Sequence, residues 1–276
     1  MYLSKTKVFT YTFSVIAVAL ICTVLSGYAF KPAQSLKQPS TSINKAGVTH
    51  TMQGNAITKN TSPSVVELFT SEGCSSCPSA DKLVAVAQKE FGDNTIVLSY
   101  HVDYWDRLGW KDPFSKSVYS ERQRQYARHF NLESVYTPQA IVNGKTEFVG
   151  SNKSALWNAI SNYKGSGNNI IETETPVVSN QQLSVKYNYA ALRANENVVL
   201  ELVLKNASTQ VKRGENSGAI LSHINIVQDI VLKNESKGTA TFNLPSNFTK
   251  ENYIVVAFVQ NKESFEISNA KKIANI

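Results

Sequence analysis

The sequence predicts a mixed α/β domain followed by an all-β domain. Between residues 64 and 163, apolar runs of strand length alternate with segments whose apolar residues recur at helical spacing. Beyond residue 170 apolar and polar residues alternate, with Asn, Gly and Pro between the runs, which is typical of antiparallel strands. We therefore assign residues 64–170 to the mixed domain and residues 171–276 to a β-sandwich domain.

The first 29 residues have the features of an export signal. Lys5 and Lys7 precede a long apolar stretch, and residues 27–29 (Gly-Tyr-Ala) supply the small-x-small triplet of a cleavage site. The alternative is an uncleaved membrane anchor, because the apolar stretch is just long enough to span a bilayer. With cleavage, Cys22 is lost with the signal and the mature protein is periplasmic or secreted.

Residues 30–63 are predicted to be a disordered linker, since they are polar with only isolated apolar side chains. Six of the 28 basic residues and none of the 21 acidic residues lie within residues 1–62. The remainder of the chain is therefore almost neutral, which argues against nucleic acid as a partner. Contact with a membrane is expected only if the N-terminal segment stays uncleaved.

The elements of the first domain follow in order along the chain. Residues 65–69 are predicted to be a buried strand that leads into a loop, and residues 95–102 a second strand. The helix between them has its apolar residues at helical spacing and ends at Gly92. A strand, helix, strand order with short connections predicts a parallel crossover.

A loop over residues 103–113 is followed by a helix over residues 115–130, whose arginines, Arg122 among them, are expected on a solvated face. Asn143-Gly144 between two short apolar runs predicts a β-hairpin. Residues 154–163 are predicted to be a third helix. In the second domain, strands are predicted at residues 183–189, 198–204, 224–232 and 253–259.

Cys74-Ser75-Ser76-Cys77 is the motif that carries chemistry. A disulfide across two residues closes too short a loop for a structural staple, so a redox role fits better. The start of a helix favours the thiolate, which makes Cys74 the expected nucleophile and Cys77 the residue that resolves a mixed disulfide. Glu72, in the preceding loop, is expected to be screened by solvent.

Thr137-Pro138 stands immediately before the first strand of the hairpin. In thioredoxin-like folds a cis-proline at this place lies across from the cysteines and exposes backbone groups to a peptide. We therefore predict a thioredoxin-like fold for the first domain and a cis bond at Pro138. The alternative is an ordinary trans proline at the start of a strand.

Five segments carry a resemblance to a known family: VVELFTSEGCSSCPSADKL, VLSYHVDYWDRLGWKDPFS, ERQRQYA, VYTPQAIVNG and EFVGS. They resemble the DUF1223 family of exported thioredoxin-like proteins, from about residue 64 to the C-terminus. The later segment Arg213-Gly214-Glu215-Asn216, with His223 and Asn225, is also similar to this family. The resemblance implies a thioredoxin-like fold with a β-rich partner domain. It does not indicate a substrate.

Further candidate site residues follow the two strands of the crossover. His101, Asp103 and Trp105 emerge at the carboxyl edge of the predicted sheet, where His101 or Asp103 would move protons and Trp105, with Trp110, would line a substrate groove. The alternative is that they only pack the loop. Glu67, in the first strand, is either a buried proton acceptor for the cysteines or a solvated residue at a sheet edge.

The function predicted is thiol-disulfide exchange on an exported cysteine-containing protein or peptide, with a possible redox partner and no bound cofactor. The direction of exchange stays open. One alternative is a copper(I) carrier that uses Cys74, Cys77 and His101. Another is a non-catalytic binding module. Arg213 to Asn216 either folds over the site, binds a partner or is an ordinary turn.

Overall fold

The computed structural model of the chain describes residues 62–163, 170–274 and 276. The predicted export signal, and the predicted linker except for its last two residues, lie outside these ranges. In the described part of the chain, no helix is both long and apolar enough to cross a membrane.

The first half has the element order that the sequence predicts. Strand β1 and strand β2 pair in parallel around helix α1, and β3 and β4 form the hairpin, with positive φ at Asn143 and Gly144. The elements are β1 Ser64–Thr70, α1 Cys77–Phe91, β2 Thr95–His101, α2 Ser117–His129, β3 Gln139–Val142, β4 Thr146–Val149 and α3 Lys153–Ser161.

From residue 170 onward, the described residues form strands as their regular elements, with one short 3-10 turn. The strands are β5 Glu172–Thr173, β6 Val177–Ser179, β7 Gln182–Asn188, β8 Glu196–Gln210, β9 Ile220–Lys233, β10 Lys237–Asn243, β11 Tyr253–Asn261 and β12 Ile267–Ile273. Strands β8 and β9 are twice the usual strand length, so they project far beyond their neighbours.

One eight-stranded sheet runs through both halves, in the order β12-β11-β8-β9-β2-β1-β3-β4. It is joined by a parallel contact of β9 with β2, where Ser99 lies opposite Ile226. The sheet is therefore continuous across the boundary that the sequence predicts at residue 170. A second sheet of β10, β7, β5 and β6 packs on its β8 and β11 end, and this pair of layers forms the β-sandwich part of the fold.

The two faces of β1 carry different cores, because successive strand residues point to opposite sides. Val66 and Leu68 pack with α1, whereas Val65 and Phe69 pack with aromatic residues of α2. Since β1 ends just before the cysteines and α1 begins at Cys77, the cysteines belong to the α1 face.

The prediction that Arg122 is solvated is wrong. Arg122 is buried on the α2 face, where its Nε donates to Glu67 Oε1 at 2.6 Å and its guanidinium lies over the ring of Tyr126. A charge needs an opposite charge before it can be buried, and Glu67, on another element, supplies it. The sequence of α2 alone does not reveal this pairing.

Candidate functional site

Cys74 and Cys77 form a disulfide at the start of α1. Cys77 is the first residue of the helix and its amide donates to Cys74 O at 3.3 Å, while the two Cα atoms lie 5.4 Å apart. Pro78 follows within the first turn, where a missing amide costs little. Cys74 is 1% exposed and Cys77 0%, so both sulfurs are closed off from bulk solvent.

Two polar groups, the Ser76 hydroxyl and the Thr137 carbonyl, lie beside the sulfur of Cys74. Its Sγ lies 3.3 Å from Ser76 Oγ and 3.8 Å from the carbonyl oxygen of Thr137. A disulfide sulfur carries no proton, so the Ser76 hydroxyl is the donor in this state. The Thr137-Pro138 bond is cis, as the sequence predicts. The backbone carbonyl of Thr137 thus lies directly beside Cys74, the predicted nucleophile.

Trp105 connects Thr137 to the loop before the cysteines. Its Nε1 donates to Thr137 Oγ1 at 2.8 Å, and a Cβ on Gly73 would come within 3.0 Å of its Cβ. A residue larger than glycine at position 73 would therefore crowd Trp105 and require a shift of a few tenths of an ångström. The structure thus brings Trp105, Thr137 and Pro138 together at Cys74.

A group of buried acids and histidines lies behind the cysteines, and we refer to it as the histidine–acid cluster. Its members come from five separate places in the chain, and none is more than 6% exposed: Glu72, Asp81, His101, Asp112 and His223. His223, on β9, is central. Its Nε2 lies 3.2 Å from Glu72 Oε1 and its Nδ1 lies 3.5 Å from Asp81 Oδ2. The second contact pairs opposite charges without hydrogen-bond geometry.

His101 belongs to the same cluster through its neighbours. Its Nδ1 lies 2.7 Å from Asp112 Oδ2, and its ring centroid lies 4.6 Å from that of His223. Asp112 Oδ2 also accepts from the Glu72 amide at 2.8 Å, so this one carboxylate fixes both His101 and the loop before Cys74. Several buried polar atoms here have no hydrogen-bond partner among the described residues: His101 Nε2, His223 Nδ1, Asp81 Oδ1 and Thr70 Oγ1.

The electrostatics of the cluster favour a cationic histidine. Burial alone would lower the pKa of His223, but the close carboxylates of Asp81 and Glu72, the second of which also shares a hydrogen bond with it, outweigh burial and raise this pKa to about 9. Burial would likewise raise the pKa of Asp112, but the charge and hydrogen bond of His101, with two backbone amides, outweigh it and lower this pKa. His223 is therefore charged at neutral pH, with acids on two sides.

The segment from Arg213 to Asn216, between β8 and β9, lies against the cysteine loop. Asn216 Nδ2 donates to Glu72 O and to Cys74 O, at 2.9 Å each. Glu215 Oε2 accepts from the Ser75 amide at 3.0 Å, and hydrogen bonds from the side chain and the amide of Ser75 lower the pKa of Glu215. Of the three interpretations of this segment, the structure favours a turn that folds over the site.

Comparison with known proteins identifies the family. The chain matches the family described as protein of unknown function DUF1223 over residues 65–260, which is more than two thirds of its length. The chain belongs to the DUF1223 family. A search of curated proteins gives no significant match.

Solved structures similar to this DUF1223 protein include a structural-genomics crystal structure from Agrobacterium tumefaciens. It is 26% identical, with a TM-score of 0.58, over 77% of this chain and 94% of that chain. A domain of the outer membrane lipoprotein Omp28 from Porphyromonas gingivalis is 17% identical, with a TM-score of 0.22, over 38% of this chain and 85% of that chain. The first similarity supports a mixed α/β architecture, and the second carries no argument.

Two predicted site residues of the DUF1223 chain lie away from the cysteines. Glu67 is fully buried on the α2 face of the sheet, where Arg122 and the hydroxyl of Tyr126 hydrogen-bond its carboxylate. Asp103 is only partly buried, and its Oδ1 accepts from Ser120 Oγ in α2. Neither carboxylate belongs to the histidine–acid cluster.

The expectation that solvent screens Glu72 is wrong. Glu72 is 0% exposed, because Trp110 Nε1 donates to its Oε2 at 2.8 Å and His223 covers the other oxygen. Two cluster members, His223 and Asp112, lie in segments that resemble the family, but nothing in the sequence indicates that they meet at one site. Asp81 has one, since Cys77, Ala80 and Asp81 share the buried face of α1, where an acid is unexpected.

The copper(I) alternative finds no support in the geometry. His101 Nδ1 is engaged by Asp112, and the described residues contain no group of three or more His, Cys, Asp or Glu side chains placed to hold a metal ion. Copper(I) would require both thiolates, which the disulfide of this structure ties up.

Proposed function

We propose that this DUF1223 protein is an exported thiol-disulfide oxidoreductase with a thioredoxin-like site. The observation that carries the proposal is the Cys74–Cys77 disulfide at the first turn of α1, beside the Thr137 carbonyl. Amides at a helix start stabilise a thiolate, and a free backbone carbonyl beside it is suited to an extended peptide that carries a cysteine. The substrate class is an exported protein or peptide with cysteines.

In the reducing direction, the Cys74 thiolate attacks one sulfur of a substrate disulfide. A Cys74–substrate disulfide forms and the other substrate sulfur leaves as a thiolate. The Cys77 thiol then loses its proton, and its sulfur attacks Cys74 Sγ. This step regenerates the Cys74–Cys77 disulfide and releases the second substrate thiolate. The oxidising direction is the reverse of these steps.

The test is adduct formation by single-cysteine variants of the protein. The reduced protein is mixed with glutathione disulfide, quenched with acid and examined by mass spectrometry. Cys77→Ser is expected to accumulate a glutathione adduct, Cys74→Ser none, and the unaltered chain the internal disulfide. Ser75→Ala is the matched control, because its exposed side chain lies between the cysteines. Equal adducts on both cysteine variants would refute the assignment of roles.

Export and location are proposed on the N-terminal sequence alone. Lys5, Lys7 and the apolar stretch that follows support secretion, and residues 27–29 support cleavage after Ala29. Mass spectrometry of the full chain, recovered from the periplasm of a bacterial host, would give the mature N-terminus. A protein that stays in the membrane at full mass would favour the anchor.

A further inference from the structure

Cys77 needs a proton acceptor that the solvent does not supply. Its side chain is 0% exposed and it is the first residue of α1. In thiol-disulfide exchange this thiol loses a proton before it attacks, and the thiolate regains one when the disulfide opens. Because bulk solvent does not contact the sulfur in this structure, a buried protein group is the favoured partner for this proton exchange.

Asp81 occupies the position from which it reaches Cys77. The two residues are four apart on α1, so they lie one helical turn apart on the same face. Helical side chains lean toward the N-terminus of their helix, so we expect the carboxylate of Asp81 to point toward the turn that contains Cys77. Asp81 is 6% exposed, and its Oδ1 is buried without a hydrogen-bond partner among the described residues.

The other carboxylate oxygen of Asp81 is held from the far side of the site. Oδ2 lies 3.5 Å from His223 Nδ1, and His223 Nε2 lies 3.2 Å from Glu72 Oε1. Because β9 packs against α1, His223 sits between an acid of the helix and an acid of the cysteine loop. The cationic His223 therefore places a positive charge beside the buried carboxylate of Asp81.

We propose that Asp81 is the proton-transfer residue of Cys77, and that His223 and Glu72 are its positioning residues. This inference rests on the proposed function. When Cys77 attacks the mixed disulfide, its proton passes to Asp81 Oδ1, the Cys77–Cys74 bond forms, and the substrate leaves as a thiolate. When the internal disulfide is opened by an incoming thiolate, the same proton returns from Asp81 to the Cys77 sulfur. Glu67 takes no part, because it lies on the other face of the sheet with Arg122.

The experiment separates the two chemical steps. In the Cys77→Ser background, the rate of glutathione adduct formation at Cys74 is measured with and without Asp81→Asn. With Cys77 present, the rate at which the adduct converts to the internal disulfide is measured by rapid acid quench. We expect Asp81→Asn to leave the first rate unchanged and to slow the second about 10²-fold at pH 7, a usual effect of losing a general base.

The pH profile gives a readout that a purely structural role would not move. In Asp81→Asn the slow step is expected to accelerate steadily with pH, because solvent hydroxide becomes the base. The unaltered protein is expected to be less dependent on pH. His223 faces Asp81 directly, and the other charged groups around the site that also affect the profile are Glu72, His101, Asp112 and Glu215. His223→Gln is expected to slow the same step by a smaller factor, and it replaces Asp81→Asn if that variant fails to fold.

The matched control is Asp93→Asn, an exposed acid just after α1 that accepts a hydrogen bond from Lys272 outside the cluster, and it is expected to leave both rates unchanged. Conversion as fast in Asp81→Asn as in the unaltered protein, with the same pH profile, would overturn the inference and leave the proposed function intact. An equal loss in both steps would assign Asp81 a structural role. If the Cys77→Ser protein with Asp81 intact forms no adduct at all, the proposed function itself fails.

Discussion

His223 Nε2 lies 3.2 Å from Glu72 Oε1, although 151 residues separate the two in the sequence. The contact joins β9 to the loop before Cys74, so the second half of the chain completes a site whose cysteines belong to the first half. Side chains from both halves are therefore needed for the site. A fragment that ends near residue 163 would lack His223, Glu215 and Asn216 and expose Glu72 and Asp81.

The charge on His223 predicts a loss of stability at alkaline pH. Its pKa is about 9 in the folded protein against 6.5 as its ordinary value. The stabilisation is therefore fully present below about pH 6.5 and is lost as pH rises through about 9. A shift of this size corresponds to about 3 kcal/mol. Denaturant unfolding between pH 6 and 10 is expected to show this decline in the unaltered protein and a flatter profile in His223→Gln.

The matched control for that experiment is His129→Gln, a histidine of α2 that packs on Phe130 and Phe265 outside the cluster. It should keep the profile of the unaltered protein. A profile of His223→Gln that declines as steeply as that of the unaltered chain would contradict the assigned charge.

A second pH effect is expected from Glu201, which is fully buried on β8. Burial raises its pKa to about 8, although the charge of Arg122 and a hydrogen bond from Tyr100 oppose the rise. The ordinary value is 4.5. A raised pKa means that stability is fully present below about pH 4.5 and is lost as pH rises through about 8.

Glu201→Gln removes this titration while keeping an acceptor for the Tyr100 hydroxyl. We expect the variant to be more stable than the unaltered protein at pH 8 to 9 and to have a flatter profile between pH 5 and 8. Thermal unfolding of both proteins between pH 5 and 9 measures these differences in stability. Glu196→Gln, another acid of β8, is the control. A Glu201→Gln variant that is less stable than the unaltered protein at pH 9 would show that the charged form is the stabilising one.

Local structure was predictable from the sequence where neighbours in the chain decide it. The Asn143-Gly144 hairpin follows from turn chemistry, and the cis Thr137-Pro138 bond was predicted from its place before the hairpin strand by analogy with thioredoxin-like folds. The position of β9 beside β2 was not predictable, because it depends on a pairing between strands more than a hundred residues apart. His223 therefore carried no sign of its role. Arg122 and Glu72 were misjudged for the same reason, since distant partners bury them.

The ion pair of Glu67 with Arg122 is expected to support stability and not exchange. Breaking a buried pair by removing one partner typically costs about 3 to 5 kcal/mol, because the other charge stays buried and unpaired. Glu67→Gln should therefore lower the free energy of unfolding by an amount of this order and leave the rate of adduct formation at Cys74 unchanged. Glu121→Gln, which breaks an exposed pair with Arg128, is the control and should change little. Slower exchange at unchanged stability would instead give Glu67 the catalytic role predicted from the sequence.

The turn that carries Glu215 and Asn216 is expected to limit access to Cys74. Cys74 is 1% exposed, and Asn216 fastens the turn to the carbonyl oxygens of Glu72 and Cys74. A hydrogen bond contributes about 1 kcal/mol net, so losing these contacts in Asn216→Ala should raise the population of open turn about fivefold or more. Alkylation of the reduced protein by iodoacetamide, followed by mass spectrometry, should be faster at Cys74 by a similar factor.

Ser217→Ala is the matched control, because its hydroxyl bonds Lys212 O within the same turn and does not touch the cysteine loop. If Asn216→Ala and Ser217→Ala are alkylated as slowly as the unaltered protein, the turn does not control access, and the substrate reaches Cys74 from the side of Trp105 and Thr137.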